Sequence, residues 1–140
     1  GRIVRVGGRF FEFHPDGEWA VIVPVIDCHE RSIVDLLAFD PDEPNKWWFR
    51  IGSERLLDGD AHGDQHLGKP LQIFRTPLSW LKGRCAGVVI FDIERAFIDL
   101  KTVPNGIVGE DDEHTAEIRR AMAKIALGQL PRFLTRRIAA

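Results

Sequence analysis

Apolar and polar positions follow a period of two over the first third of the chain and switch to a helical period only near its end. Arg2–Val6 and Arg9–Phe13 are short β-prone runs, with Phe11 and Phe13 set against Glu12. Gly7-Gly8 between them predicts a hairpin, because both turn positions accept positive φ. His14-Pro-Asp-Gly17 is the next turn, with proline and glycine where a tight turn requires them. Glu18–Asp27 is β-branched and too short for a capped helix, so it predicts a strand buried on both faces. Pro24 lacks an N–H, which places that strand at a sheet edge or at a bulge. Cys28–Ser32 reads as a polar turn and Ile33–Phe39 as the returning strand, although its leucines and alanine also suit a helix. Asp40–Pro44 is a stiff loop, and Lys46–Ile51 a further strand closed by Gly52. Hairpin-length links join these runs into an antiparallel meander of about five strands.

Ser53–Leu57 suits one helical turn, and Asp58–Gly68 is a polar surface loop holding three glycines. The clearest local grammar lies in Pro70–Glu94. Leu71–Phe74 is a short strand; Thr76 is a good N-cap, and Pro77 sits at the first helical position, where its missing N–H costs nothing. Leu78, Trp80 and Leu81 face the core from a short helix that Gly83 closes, and Gly87 opens the apolar strand Val88–Ile93. A connection of about a dozen residues is just long enough for a parallel β-α-β crossover; orthogonal packing is the alternative. Arg95–Lys101 is a last strand or a helical turn, and Pro104-Asn-Gly106 a turn. From Asp112 to Leu127 the spacing of Ile118, Met122 and Ile125 predicts an amphipathic helix. Pro131 starts a second helix carrying Phe133, Leu134 and Ile138, which extends the helical segment over about 112–138. The expected fold is therefore a single α+β domain over 1–140: an antiparallel meander, a compact β-α-β unit and a C-terminal helical segment.

Composition narrows the class without naming a reaction. The hydrophobic share of 44% and charged share of 29% are those of a globular chain. A net charge of −2 gives no global attraction to nucleic acid or an anionic membrane. No apolar run approaches the ~18 residues of a membrane span, and no signal-peptide pattern opens the chain. Cys28 and Cys85 make no disulfide framework, so a cytoplasmic setting is expected. The only methionine is Met122, so Gly1 is not expected to be a natural start: either residues lie upstream or Gly1 is a cleavage scar.

Three groups of residues carry candidate chemistry. Asp58, Asp60, His62, Asp64 and His66 share one parity, so an extended backbone points all five one way, and carboxylates with imidazoles suit a divalent metal. Gly59 and Gly63 argue against a regular strand, and a solvated loop is the bland alternative. Asp27 and Asp92 each end an apolar strand, and Glu94 shares the face of Asp92 if that strand continues. Carboxylates at strand ends hold magnesium for phosphoryl chemistry, but acids also end strands where the chain re-enters water. Cys28-His29 point to opposite faces of a strand and there is no Gly-x-Ser-x-Gly elbow, so nucleophilic catalysis has less support than the other candidates. Finally, residues 118–140 contain Arg119, Arg120, Lys124, Arg132, Arg136 and Arg137 and no acid. Such a basic segment contacts phosphates without sequence specificity. Leu130, Phe133, Leu134 and Ile138 exceed what one helix stripe needs and suit a second copy of the chain.

Pro70–Asp92, together with Val34–Arg50, resembles short uncharacterised proteins of proteobacterial and prophage-type genomes. The resemblance covers about half of the chain and implies no activity and no functional residue; it implies a nucleic-acid or mobile-element setting. The expected function is a non-catalytic binding or assembly module, with self-association through the C-terminal helices, nucleic acid as a further partner, no membrane and no cofactor. The alternative is a metal-dependent hydrolase using the 58–66 loop or the strand-end carboxylates.

Overall fold

The computed structural model describes residues 1–27, 30–58 and 68–136. Two sheets and a helical layer stack in it. The first sheet holds β1 (Arg2–Val6), β2 (Phe10–Phe13), β3 (Glu18–Trp19), β4 (Val21–Ile26), β5 (Ile33–Phe39) and β6 (Trp47–Phe49). Their spatial order is β3-β1-β2-β6-β5-β4. Two antiparallel pieces, β1 with β2 and β3, and β4-β5-β6, are joined by a parallel contact of Phe10 with Phe49. The expected meander is thus broken in the middle. The cause is visible at the first turn: Gly7 takes φ +66°, but the loop runs to Arg9, whose carbonyl accepts the N–H of Phe49 at 2.8 Å.

Strand β4 is the edge, as Pro24 requires, and a register shift follows at Val25/Ile26. It is not buried on both faces: Val23 and Val25 are buried while Pro24 and Ile26 are exposed. An edge strand has one neighbour, so even a fully apolar run wets at its margin. Strand β5 has the range its sequence predicts.

The second sheet contains β7 (Leu56–Asp58), β8 (Leu71–Phe74), β9 (Val88–Ile90) and β10 (Ile107–Val108), in the order β10-β8-β9-β7. The helical turn expected at Ser53–Leu57 does not form: Ser53–Arg55 is irregular, and Leu56 and Leu57 open β7, which pairs antiparallel with β9 from Leu56↔Ile90 to Asp58↔Val88. Local propensity is overridden because Leu57, fully buried, gains core contact only as a strand residue. Strands β8 and β9 are parallel, joined through α1 (Pro77–Lys82), so the β-α-β unit is present. Thr76 caps α1 with a capping box to Ser79, and Trp80 Nε1 donates to the Gly87 carbonyl at 2.8 Å. Gly87 is needed for closeness: a Cβ there would lie 2.3 Å from the Gln72 carbonyl oxygen of β8.

Helices α2 (Ile93–Leu100) and α3 (Asp112–Gly128) complete the chain. The alternation along each strand decides the layers. Val23, Val25, Leu37, Phe39 and Phe49 of the first sheet pack on Leu57, Val89 and Trp80. The opposite face of the second sheet, through Leu71, Ile73 and Val88, packs on Ala96 and Leu100 of α2 and Ile118 of α3. The far face of the first sheet is closed by Ile3, Phe11, Ala38 and Trp48. Trp47 and Trp48 are therefore both structural, on opposite faces, and the Arg5 guanidinium lies 4.1 Å from the Trp48 ring. Each fully buried Leu or Phe contributes about 1.5–3 kcal/mol, so the layer between the sheets is the main stabilising unit.

The C-terminal segment departs from expectation. Helix α3 ends at Gly128, and 131–136 adopts no regular secondary structure. A short helix must recover its nucleation cost by burying a face. Phe133 and Leu134 are 84% and 78% exposed and bury none. Among the described residues no helix is long and apolar enough to cross a membrane.

Candidate functional site

Parallel strands place their carboxyl ends together, and in this protein that edge is occupied by an organised polar cluster. Arg75 directly follows β8. Its Nη1 lies 2.9 Å from Glu117 Oε2, its Nη2 3.4 Å from Asp111 Oδ1, and its Nε 3.8 Å from Glu110 Oε2. Asp111 is the N-cap of α3, its Oδ1 accepting the His114 N–H at 2.7 Å. His114 is buried, and its Nδ1 accepts the Glu110 N–H at 2.9 Å. Thr115 Oγ1 accepts the Gly109 N–H at 2.9 Å and donates to the Asp111 carbonyl at 3.0 Å.

The electrostatics follow from these contacts. The His114 N–H, and then the Arg75 charge, hold the Asp111 carboxyl below the usual carboxylate range. Hydrogen bonding to Glu117 raises Arg75 further. Burial, followed by the nearby Arg75 cation, pushes His114 below the ordinary imidazole value. His114 is therefore a neutral imidazole whose Nδ1 lone pair is engaged by the backbone. The cluster fastens the start of α3 to the end of β8 and offers no acid–base pair aimed at a cavity.

Of the acids singled out from the sequence, those that the structure describes serve other elements. Strand β9 stops at Ile90, and Asp92 caps α2, its Oδ1 accepting the Arg95 N–H at 3.3 Å. Glu94 is an exposed residue of the first helical turn. The shared strand face assumed for Asp92 and Glu94 does not form, because the chain turns into a helix where the strand was expected to continue. Asp27 sits at the β4–β5 turn, where its Oδ1 accepts the Glu30 N–H at 3.3 Å. Asp58 ends β7 opposite Val88; Asp60, His62, Asp64 and His66 lie outside the described residues, as do Cys28 and His29. Among the described residues no three His, Cys, Asp or Glu side chains group closely enough to hold a metal ion.

The basic residues fall on the outer part of α3 and beyond. Arg119, Arg120 and Lys124 are exposed on the helix, and Arg132 and Arg136 on the segment after it; Arg137 lies outside the described residues. None of these five exposed cations pairs with an acid among the described residues. Only the first half of α3 rests on the sheet, through Ile118 with Met122 half-buried. Beyond it, Leu127, Leu130, Phe133 and Leu134 are 69%, 56%, 84% and 78% exposed. Four large apolar side chains within eight residues, all in solvent, form a contiguous sequence patch of the kind that marks an interaction surface.

Sequence reasoning missed two features. One is the carboxylate of Asp35, 4% exposed in β5. Its Oδ1 accepts the N–H groups of Leu36, Arg50 and Ile51 at 2.7, 3.2 and 2.9 Å, and its Oδ2 that of Gly52 at 2.7 Å. An acid inside the run Ile33-Val-Asp-Leu-Leu was the available signal. The other is an open groove of about 620 Å³ between α2 and α3, built from residues distant in sequence. No family model, no curated protein and no solved structure matches the chain.

Proposed function

We propose that the protein is a non-catalytic assembly module that self-associates through the end of α3 and the segment following it. The observation that carries this reading is the exposure of Leu127, Leu130, Phe133 and Leu134 where α3 ends and the chain runs on without regular structure. Burying that patch against a second copy removes apolar area from water at about 25 cal/mol per Å² and gives the exposed Phe133 and Leu134 a packing partner. The most organised polar cluster, around Arg75 and His114, is consumed by helix capping, which favours binding over catalysis. The metal-dependent hydrolase alternative rests on the 58–66 loop.

Sedimentation velocity across a concentration series tests the proposal. Self-association that is lost in Phe133→Asp supports it, because a charge in that patch opposes burial while the exposed site leaves the fold intact. A wild-type chain that stays monomeric at high concentration refutes it.

One further reading has its own observation: Arg119, Arg120 and Lys124, exposed and without an acid partner among the described residues, suit a phosphate backbone, in keeping with a nucleic-acid or mobile-element setting. Binding of a fluorescent oligonucleotide at low salt, weakened by Arg120→Glu with Lys124→Glu and steeply salt-dependent, supports it. No binding at low salt excludes it.

A further inference from the structure

The groove between α2 and α3 is a second surface, independent of the exposed C-terminal patch. Its floor is apolar: Phe97 and Leu100 come from α2, and Ile118 and Met122 from α3. On the α3 side the wall continues through Ala123 and Ala126, small residues that let another backbone approach closely. Among the described residues its charged lining consists of Lys101, just past the end of α2, and Arg119 of α3, with no acid. The Lys101 ammonium lies 5.7 Å from the Phe97 ring, so the cation stands beside the apolar floor.

We propose that this groove binds an amphipathic helix of a partner protein, with its apolar stripe on the floor and acidic residues facing Lys101 and Arg119. The shape is that of helix-in-groove recognition, in which anchors at i, i+3 or i+4 and i+7 enter an apolar trough between helices. The charge selects the partner. The chain's own C-terminal segment is apolar but carries Arg132 and Arg136, the same sign as the groove, so like charges disfavour it as the occupant. Nucleic acid has no use for the apolar floor, and two cations neutralise too few phosphates to hold it. A small ligand is mostly enclosed by its pocket, whereas this groove is open along α3.

Selection from a random peptide library of about 16 residues, long enough for four helical turns, displayed on phage against the full chain, tests the proposal. Enriched sequences are expected to combine the i, i+3/i+4, i+7 apolar pattern with an excess of Asp and Glu. A synthetic copy of an enriched peptide, followed by fluorescence anisotropy, should lose roughly tenfold or more in affinity to Lys101→Glu with Arg119→Glu. It should also be blocked by Ala123→Trp, which fills the groove from an exposed position. Arg120→Glu changes the same charge outside the lining and should leave affinity within about twofold; far-UV circular dichroism of each variant verifies the fold. No enrichment, enrichment of basic sequences, or binding indifferent to Ala123→Trp overturns the proposal. So does a wild-type dimer that Ala123→Trp converts to monomer, since the groove would then hold a second copy. Phe133→Asp separates the two surfaces: it removes self-association and leaves peptide affinity unchanged.

Discussion

Replacing Asp35 should be among the most damaging single changes in the first sheet. Four backbone N–H groups converge on its carboxylate, from Leu36, Arg50, Ile51 and Gly52. Asp35→Ala does not orphan them equally. Arg50 also donates to the Leu36 carbonyl at 3.0 Å and keeps that bond. Ile51 is 62% exposed, so water replaces the carboxylate there. Leu36 and Gly52 lose their acceptor. A lost hydrogen bond to a charged group costs about 1.5–3 kcal/mol, and taking the lower part of that range for two bonds gives about 3–4 kcal/mol. Asp35→Asn keeps one oxygen but turns an N–H donor toward one of the backbone donors, for a cost of about 2 kcal/mol. Trp47 and Trp48 in the adjacent β6 report the change by fluorescence during urea unfolding. With a slope near 2 kcal/mol per molar, the midpoint of Asp35→Ala should fall by about 1.5–2 M, and that of Asp35→Asn by about 1 M. A midpoint for Asp35→Ala within about 0.3 M of wild type would refute the reasoning, because the converging bonds would then be dispensable.

Other perturbations read other layers. His114 is held below its ordinary value of 6.5, so the unfolded chain binds its proton first. Stability attributable to His114 is therefore complete above about pH 6.5 and is lost as pH falls through the folded value; His114→Gln should flatten that acid limb in thermal unfolding, and an unchanged limb rejects the assignment. Gly87→Ala forces a Cβ toward the Gln72 carbonyl at 2.3 Å and should cost about 2 kcal/mol or more in urea unfolding, by parting β8 from β9. Asp99→Ala breaks the ion pair with Arg55, whose side chain is 33% exposed; water screens it, so the loss should not exceed about 1 kcal/mol. For the 58–66 loop, native mass spectrometry of the purified chain should show the metal-free mass; near-stoichiometric metal that His62→Ala with His66→Ala removes would instead support the hydrolase alternative.

Much of the local structure is written in short stretches of sequence. Thr76-Pro77 starts α1, Pro24 marks an edge, and the spacing of Ile118 and Met122 gives α3 its buried side. These depend on backbone chemistry and periodicity, which act within a few residues. The basic residues of α3 were legible in the same way, since a helix from Asp112 puts Arg119, Arg120 and Lys124 in solvent once Ile118 is buried. The α+β class and the β-α-β unit followed from the same signals.

Only the tertiary structure decided the rest, because it depends on which distant segments meet. Leu56 and Leu57 enter a sheet because β9 offers Leu56–Asp58 a partner thirty or more residues away. The parallel contact of β2 with β6 interrupts the meander through a single pair, Phe10 with Phe49. Phe133 and Leu134 have the composition of a helix stripe but meet no surface among the described residues that buries it, and 131–136 stays without regular structure. Asp92 read as a strand-end acid; the stop of β9 at Ile90 and the start of α2 at Ile93 made it a helix cap instead. The groove between α2 and α3 has no sequence signature, since its walls come from Phe97 to Ala126 and exist only once both helices lie on the same sheet. Local preference acts over a few residues, whereas strand partners and burial are assigned by the packing of the whole chain.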